Sequence, residues 1–321
     1  MRAVILGTGS EVPPKIVTND DLAKIVDTSD EWIRTRSGIR ERRVSDDGTA
    51  TSDLGVIAAE RALTAAKVDP SELDLIIVAT CSPDTLFPSV GCILQRKLKA
   101  VNAAAFDVSA ACSGFNFALS TATAYIESGM YRTVLVVGAD TLTKYLDWTD
   151  RGTCVLFGDG AGAVVLRGEK GDRGVLASYI RAKGEGGDYL VMPGGGSRDP
   201  ECRNKRFIRM DGKEVFKFAV HALEDSVVEV LKKAGVTLDD LSLLVPHQAN
   251  IRIIDHVRKK INLPEKKVYV NLMKYGNTSA ASVPLALDEA VNEGRVKSGD
   301  LVALAGFGAG LTYGSNIIRW R

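Results

Sequence analysis

A thiol, an imidazole and a carboxamide brought together can run nucleophilic acyl chemistry: the sulfur attacks, the ring moves or shares a proton, and the amide donates a hydrogen bond. The chain has five cysteines and three histidines, so the candidates for these parts are few. Cys112 lies in FDVSAACSGFNFAL, between an apolar strand-like run and an apolar helix-like run, with only small residues (Ser109, Ala110, Ala111, Ser113, Gly114) around it. At the first turn of a helix a thiol meets the positive end of the helix dipole and unpaired N–H groups, which favours the thiolate, and small neighbours let a carbonyl approach. From this segment alone Cys112 reads equally as a nucleophile or as a buried core cysteine. Cys154 lies in a similar small-residue run, RGTCVLFGDGAGA, and the remaining cysteines have no comparable setting.

His221 falls within an amphipathic helical pattern and His256 within the basic helix IIDHVRKK, so both read as structural or solvated. His247 follows the apolar run LSLLVP directly, at the carboxyl end of a strand, where open α/β folds place ligands. Asn277, in KYGNTSAASVP, opens another apolar helix, where a helix cap and a catalytic carboxamide are both open readings.

These residues must be positioned by a scaffold, and the scaffold is duplicated. Residues 62–77 overlie residues 230–245 at a displacement of 168, 132–138 overlie 300–306, and 109–119 overlie 277–287, all without gaps. The third match sets the Cys112 turn against the Asn277 turn. Within the first copy, periodicity predicts helices over 52–67 and 113–127 and strands over 75–79, 106–108 and 134–137; the opening residues 1–9 read as a first strand rather than a signal segment. In the second copy, helical apolar spacing from Phe216 to Leu231 stops at Gly235, and a strand covers 243–245. The expectation is two similar α/β halves about a pseudo-twofold axis, residues 1–170 and 171–321, joined through the Gly-rich, charged GEKGDRGV.

Composition narrows the function classes. A 321-residue chain with 45% hydrophobic content can bury a full core. The net charge of +1, with Lys and Arg spread along the chain, leaves no footprint for general nucleic-acid binding. No apolar run reaches the roughly 18 residues of a membrane helix. An odd number of cysteines without a C-x-x-C pair indicates neither a disulfide framework nor a zinc site, so a cytoplasmic chain without a metal is expected. GTGSEV and FGDGAG each fall short of the dinucleotide fingerprint.

ACSGF around Cys112, PHQANIRI around His247, YGNTSAASVP around Asn277 and the closing GFGAGLTYGS resemble the signature segments of 3-oxoacyl-acyl carrier protein synthase III, and the likeness runs from EWIRTRSGIRERR to the C-terminus. The resemblance implies a thiolase-like fold of layered αβαβα form and a decarboxylating condensation. In it an acyl group passes from coenzyme A to Cys112 and is then joined to malonyl-acyl carrier protein, with His247 and Asn277 stabilising the enolate. It also implies an oxyanion hole from the N–H groups of Cys112 and Ala309, no cofactor beyond the coenzyme A thioester substrate, and a homodimer. By position it assigns Thr28, Trp32, Arg36 and Arg151 to the adenine end of coenzyme A, and Met210, Phe216, Ala249 and Asn250 to the pantetheine tunnel. Phe87 is assigned to a partner's acyl pocket, and Lys217, Arg252, Arg258 and Lys259 to the carrier protein. Tyr313 stands where members of that family often carry Trp, and Asp211 and Lys213 alter the tunnel rim. A thiolase would carry a second cysteine near the C-terminal glycine loop, and GFGAGLTYG has none. A papain-like hydrolase, a synthase of the same fold making another product, and a non-catalytic paralogue are the other readings.

Overall fold

Short apolar runs such as Leu75–Ala79 (LIIVA), buried along their whole length, form strands that must be covered on both faces. The computed structural model describes residues 1–203 and 207–321. In it, β1 (Arg2–Glu11), β2 (Leu75–Ala79), β3 (Ala104–Val108), β4 (Thr133–Asp140) and β5 (Gly160–Glu169) form a five-stranded sheet in the order β1-β5-β4-β2-β3. A four-stranded sheet in the order β7-β8-β9-β6 is built from β6 (Gly174–Ala182), β7 (Leu241–Pro246), β8 (Leu301–Gly308) and β9 (Thr312–Arg319). Pairing repeats as well: β2 runs parallel to β4 as β7 does to β8, while β4–β5 and β5–β1 are antiparallel like β8–β9 and β9–β6. Where the first sheet has β3, the second has, among the described residues, a single parallel bridge, Leu244 to Val268.

The longer helices are α1 (Asp30–Ser37), α2 (Thr51–Ala66), α3 (Val90–Leu98), α4 (Gly114–Glu127), α5 (Gly212–Ala234), α6 (Ile251–Lys260) and α7 (Ser282–Asn292); α1 and α3 were not among the sequence expectations. Strand alternation sorts their partners. Ile76 and Val78 of β2 pack with α2 and α3, whereas Leu75, Ile77 and Ala79 face a central layer made by α4 and α7. In the second sheet Val302 and Leu304 face that same layer, and Leu301, Ala303 and Ala305 face α5 and α6. Helix, sheet, helix, sheet and helix layers result, each fully buried Val, Leu or Ile contributing about 1.5–3 kcal/mol.

The displacement of 168 holds to the residue at several element ends. β4 maps onto β8, the 3₁₀ turn Ala111–Ser113 onto Ser279–Ala281, and the last residue of α2, Ala66, onto that of α5, Ala234. The left-handed C-caps also coincide, Lys67 at φ 54° and Gly235 at φ 68°.

Candidate active site

Cys112 belongs to the 3₁₀ turn Ala111–Ser113, and α4 proper starts only at Gly114, so the thiol stands just ahead of the helix rather than in its first turn. Ala111 reaches this turn with φ 47°, and its counterpart Ser279 has φ 52°. Non-glycine residues seldom adopt this region, and the two copies meet here through the same uncommon backbone. The chain of β8 closes over the thiol: a Cβ on Gly308 would fall 2.5 Å from the Cys112 amide nitrogen, which only glycine permits. That approach carries Ala309 into the cavity that Cys112 lines.

The sulfur is buried, and burial pushes its pKa up to about 12. The buried Asp140 carboxylate adds to the rise, while hydrogen bonds from the Ser279 and Asn277 side chains offset part of it. This corrects the expectation of a thiolate favoured at rest: desolvation disfavours the anion. His247, 1% exposed, is likewise held neutral, its pKa lowered to about 3 by burial. Its amide donates to the Ala305 carbonyl at 2.7 Å, its ring meets Phe307 edge-on with centroids 5.1 Å apart, and its Nδ1 lies 2.6 Å from Ser282 Oγ. Asn277 lines the same cavity as Cys112 and His247. Its Oδ1 accepts from the Ser279 amide at 2.8 Å, fixing the turn ahead of α7, and its side chain counters part of the rise in the Cys112 pKa.

Cys112, His247 and Asn277 line one cavity with Met210, Phe216, Ala249 and Asn250. An apolar pocket of about 190 Å³ adjoins it, sharing Cys112, Phe157 and Leu190 and walled by Leu142, Met192 and Ile208. On the other side, Leu156, Gly212, Phe216 and Asn250 are shared with a groove that holds Trp32, Arg36, Arg151, Lys213, Lys217 and Arg252. The Arg36 and Arg151 guanidinium carbons lie 5.1 and 4.7 Å from the Trp32 ring centre. Arg151 Nη1 donates to the Asp27 carbonyl at 2.9 Å, next to Thr28, whose buried Oγ1 has no partner among the described residues. The buried Arg42 guanidinium donates to Val17, Asn19 and Val155, tying the segment that carries Trp32 to the one that carries Arg151.

Other assigned residues fall elsewhere. Phe87 is exposed and outside its own chain's cavity. Arg258, assigned to the carrier protein, is mostly buried and bridges Asp255 and Glu265. Lys217 pairs with Glu214, Arg252 stands over Phe216, and Lys259 is exposed on α6. Tyr313 packs in the core against Tyr179 and Phe218, and Asp211 caps α5. Ser279, Ser282, Cys81 and Asp140 were not singled out from the sequence. The displacement of 168 could have found Ser279 and Ser282, which stand opposite Ala111 and Gly114 in the copy that holds Cys112.

Comparison with known proteins agrees with this geometry. The family described as 3-oxoacyl-[acyl-carrier-protein (ACP)] synthase III matches residues 106–184, and its C-terminal counterpart matches 231–320. The chain is 55% identical to the beta-ketoacyl-[acyl-carrier-protein] synthase III of Caldanaerobacter subterraneus subsp. tengcongensis, over 100% of this chain and 98% of that protein. Among solved structures, 3-oxoacyl-[acyl-carrier-protein] synthase III from Aquifex aeolicus VF5 superposes with a TM-score of 0.94 at 49% identity, covering 99% of this chain and 100% of the other. The priming beta-ketosynthase from the R1128 polyketide biosynthetic pathway superposes with a TM-score of 0.94 at 39% identity, covering 99% and 96%.

Proposed function

The chain belongs to the 3-oxoacyl-[acyl-carrier-protein] synthase III family, and from that premise we propose how its own residues carry the reaction. It is an acyltransferase of the condensing kind that initiates fatty acid synthesis, using an acyl-coenzyme A and malonyl-acyl carrier protein.

In the first half-reaction the Cys112 sulfur adds to the acyl-coenzyme A carbonyl as its proton passes to His247 Nε2. A thiol with so high a pKa needs that acceptor at the moment of attack. The N–H groups of Cys112 and Ala309 receive the oxyanion. The carbon–sulfur bond to coenzyme A then breaks, and the proton leaves on the departing sulfur. In the second half-reaction malonyl-acyl carrier protein loses carbon dioxide, and the charge moves onto its thioester oxygen. His247 Nε2–H and the Asn277 amide donate to that oxygen; burial keeps the imidazole neutral, so it donates without carrying a charge. The α-carbon attacks the acyl carbon, the bond to Cys112 breaks, and the sulfur regains a proton drawn from solvent. No metal or redox cofactor enters these steps.

Trp32, Arg36, Arg151 and Thr28 take the nucleotide end of coenzyme A. Adenine stacking on Trp32 displaces the Arg151 guanidinium, which at 4.7 Å leaves no room for a ring between them. Met210, Phe216, Ala249 and Asn250 line the pantetheine path, and Arg252, Lys217 and Lys259 face the carrier protein. Exposed Leu86 and Phe87 support a homodimer in which Phe87 completes the partner's pocket. Free cysteines throughout fit a reducing cytoplasm, and among the described residues no helix is long and apolar enough to cross a membrane. We take residues 1–170 and 171–321 as the two fused halves.

The observation that carries this reading is a single cavity lined by Cys112, His247 and Asn277, open to an apolar pocket on one side and a cationic, aromatic groove on the other. Purified protein given acetyl-, isobutyryl- or longer acyl-coenzyme A with malonyl-acyl carrier protein should release carbon dioxide and 3-oxoacyl-carrier protein in equal amounts. Release of free acid, or no product with any primer, would overturn it.

A further inference from the structure

His247 Nε2 is asked for opposite things in the two half-reactions: a lone pair when Cys112 gives up its proton, and an N–H when the enolate forms. A neutral imidazole carries one ring proton, so the two demands correspond to its two tautomers. Which tautomer is present depends on the partner of Nδ1. A carboxylate there would hold Nδ1–H, and a backbone N–H would hold the opposite form. A hydroxyl accepts from Nδ1–H or donates to bare Nδ1 by turning about its C–O bond.

The partner is a hydroxyl. Ser282 Oγ lies 2.6 Å from Nδ1, both residues are about 1% exposed, and among the described residues His247 is its sole hydrogen-bond partner. Helix α7 begins at Ser282 and contributes no side-chain cap there, so the hydroxyl is not needed to finish the helix end. At the matching position of the other copy, 168 residues earlier, stands Gly114, so the hydroxyl occurs in the half that holds the histidine.

We propose that Ser282 is a positioning residue that holds His247 in the tautomer each half-reaction requires, its hydroxyl accepting from Nδ1–H before Cys112 is acylated and donating to Nδ1 afterwards. The exchange conserves charge: because the thiol proton has left on coenzyme A, water entering the cavity as coenzyme A departs supplies the proton that joins Nε2 and takes up the one that leaves Nδ1. The inference rests on the reading of His247 given above.

With three histidines in the chain, ¹⁵N-histidine NMR can resolve His247. The free protein should show Nδ1–H, and the protein acylated on Cys112 should show Nε2–H; the same tautomer in both states overturns the proposal without any variant. Ser282→Ala should keep its thermal unfolding and its KM for acyl-coenzyme A. It should slow both Cys112 acylation and malonyl decarboxylation about tenfold, the factor set by one buried hydrogen bond of roughly 1.4 kcal/mol. Ser282→Thr should recover most of both rates. Unchanged half-reaction rates in Ser282→Ala, or no recovery in a folded Ser282→Thr, also overturn it. A His247→Ala variant that kept both half-reactions would instead overturn the underlying role of the histidine, so the two failures are told apart.

Discussion

At rest the Cys112 sulfur keeps its proton, because the cavity that shields it from water shields its anion too, and Asp140 behind it adds negative charge. Below a pKa near 12 the thiolate fraction rises tenfold with each pH unit. Alkylation of Cys112 by iodoacetamide, followed by peptide mass mapping, should therefore keep climbing through pH 9 and 10, whereas an unstructured cysteine peptide levels off above about 8.5. A plateau near pH 8 would show a thiol already activated in the free protein. Cys112, His247 and Asn277 could be picked out in sequence because each ends or opens an apolar run. The state of the thiol could not, because desolvation depends on Gly308 and Ala309, nearly 200 residues downstream, closing over it.

Asp140, the last residue of β4, ties the turn Ser279–Ala281 of one copy to Cys81 and Ser82, which follow β2 in the other. Its Oδ1 accepts from the Cys81 amide at 2.8 Å and from Ser82 Oγ at 2.8 Å, and its Oδ2 accepts from the Ala280 amide at 3.1 Å. Asp140→Asn puts a donor against one of these N–H groups, so it should destabilise the protein by about 1–3 kcal/mol in urea unfolding. Cys112 acylation should slow with it, because Ser279 and Asn277 are then held less firmly against the sulfur. Unchanged stability would show that the carboxylate does not tie these two segments together. Strand β2 and the Gly235 stop of α5 were legible from periodicity and cap chemistry. The turn at 279–281 was not, because local sequence places Asn277 at a helix start and only the contact between copies shows the extra turn.

Duplication sets the plan of the whole molecule: corresponding sheets, two central helices, and a site where the turn of one copy meets the strand end and turn of the other. The matches at 168 made this legible in sequence, and β4 on β8 carries the displacement through without a shift. The copies differ at the sheet margin, where β3 is a true edge strand and its counterpart is reduced to one bridge, a difference of pairing partner that composition does not encode. With Leu86 and Phe87 exposed, light scattering on a sizing column should give a dimer, and Phe87→Asp should weaken it and alter primer preference. A monomer with full activity would refute that assembly. The central claim, that one thiol among five carries the acyl group, is tested most directly by intact-mass and peptide analysis after incubation with acyl-coenzyme A. A single acyl increment should appear on Cys112 and be absent from a folded Cys112→Ala variant; acylation of another residue, or of that variant, would rule out Cys112 as the acyl carrier.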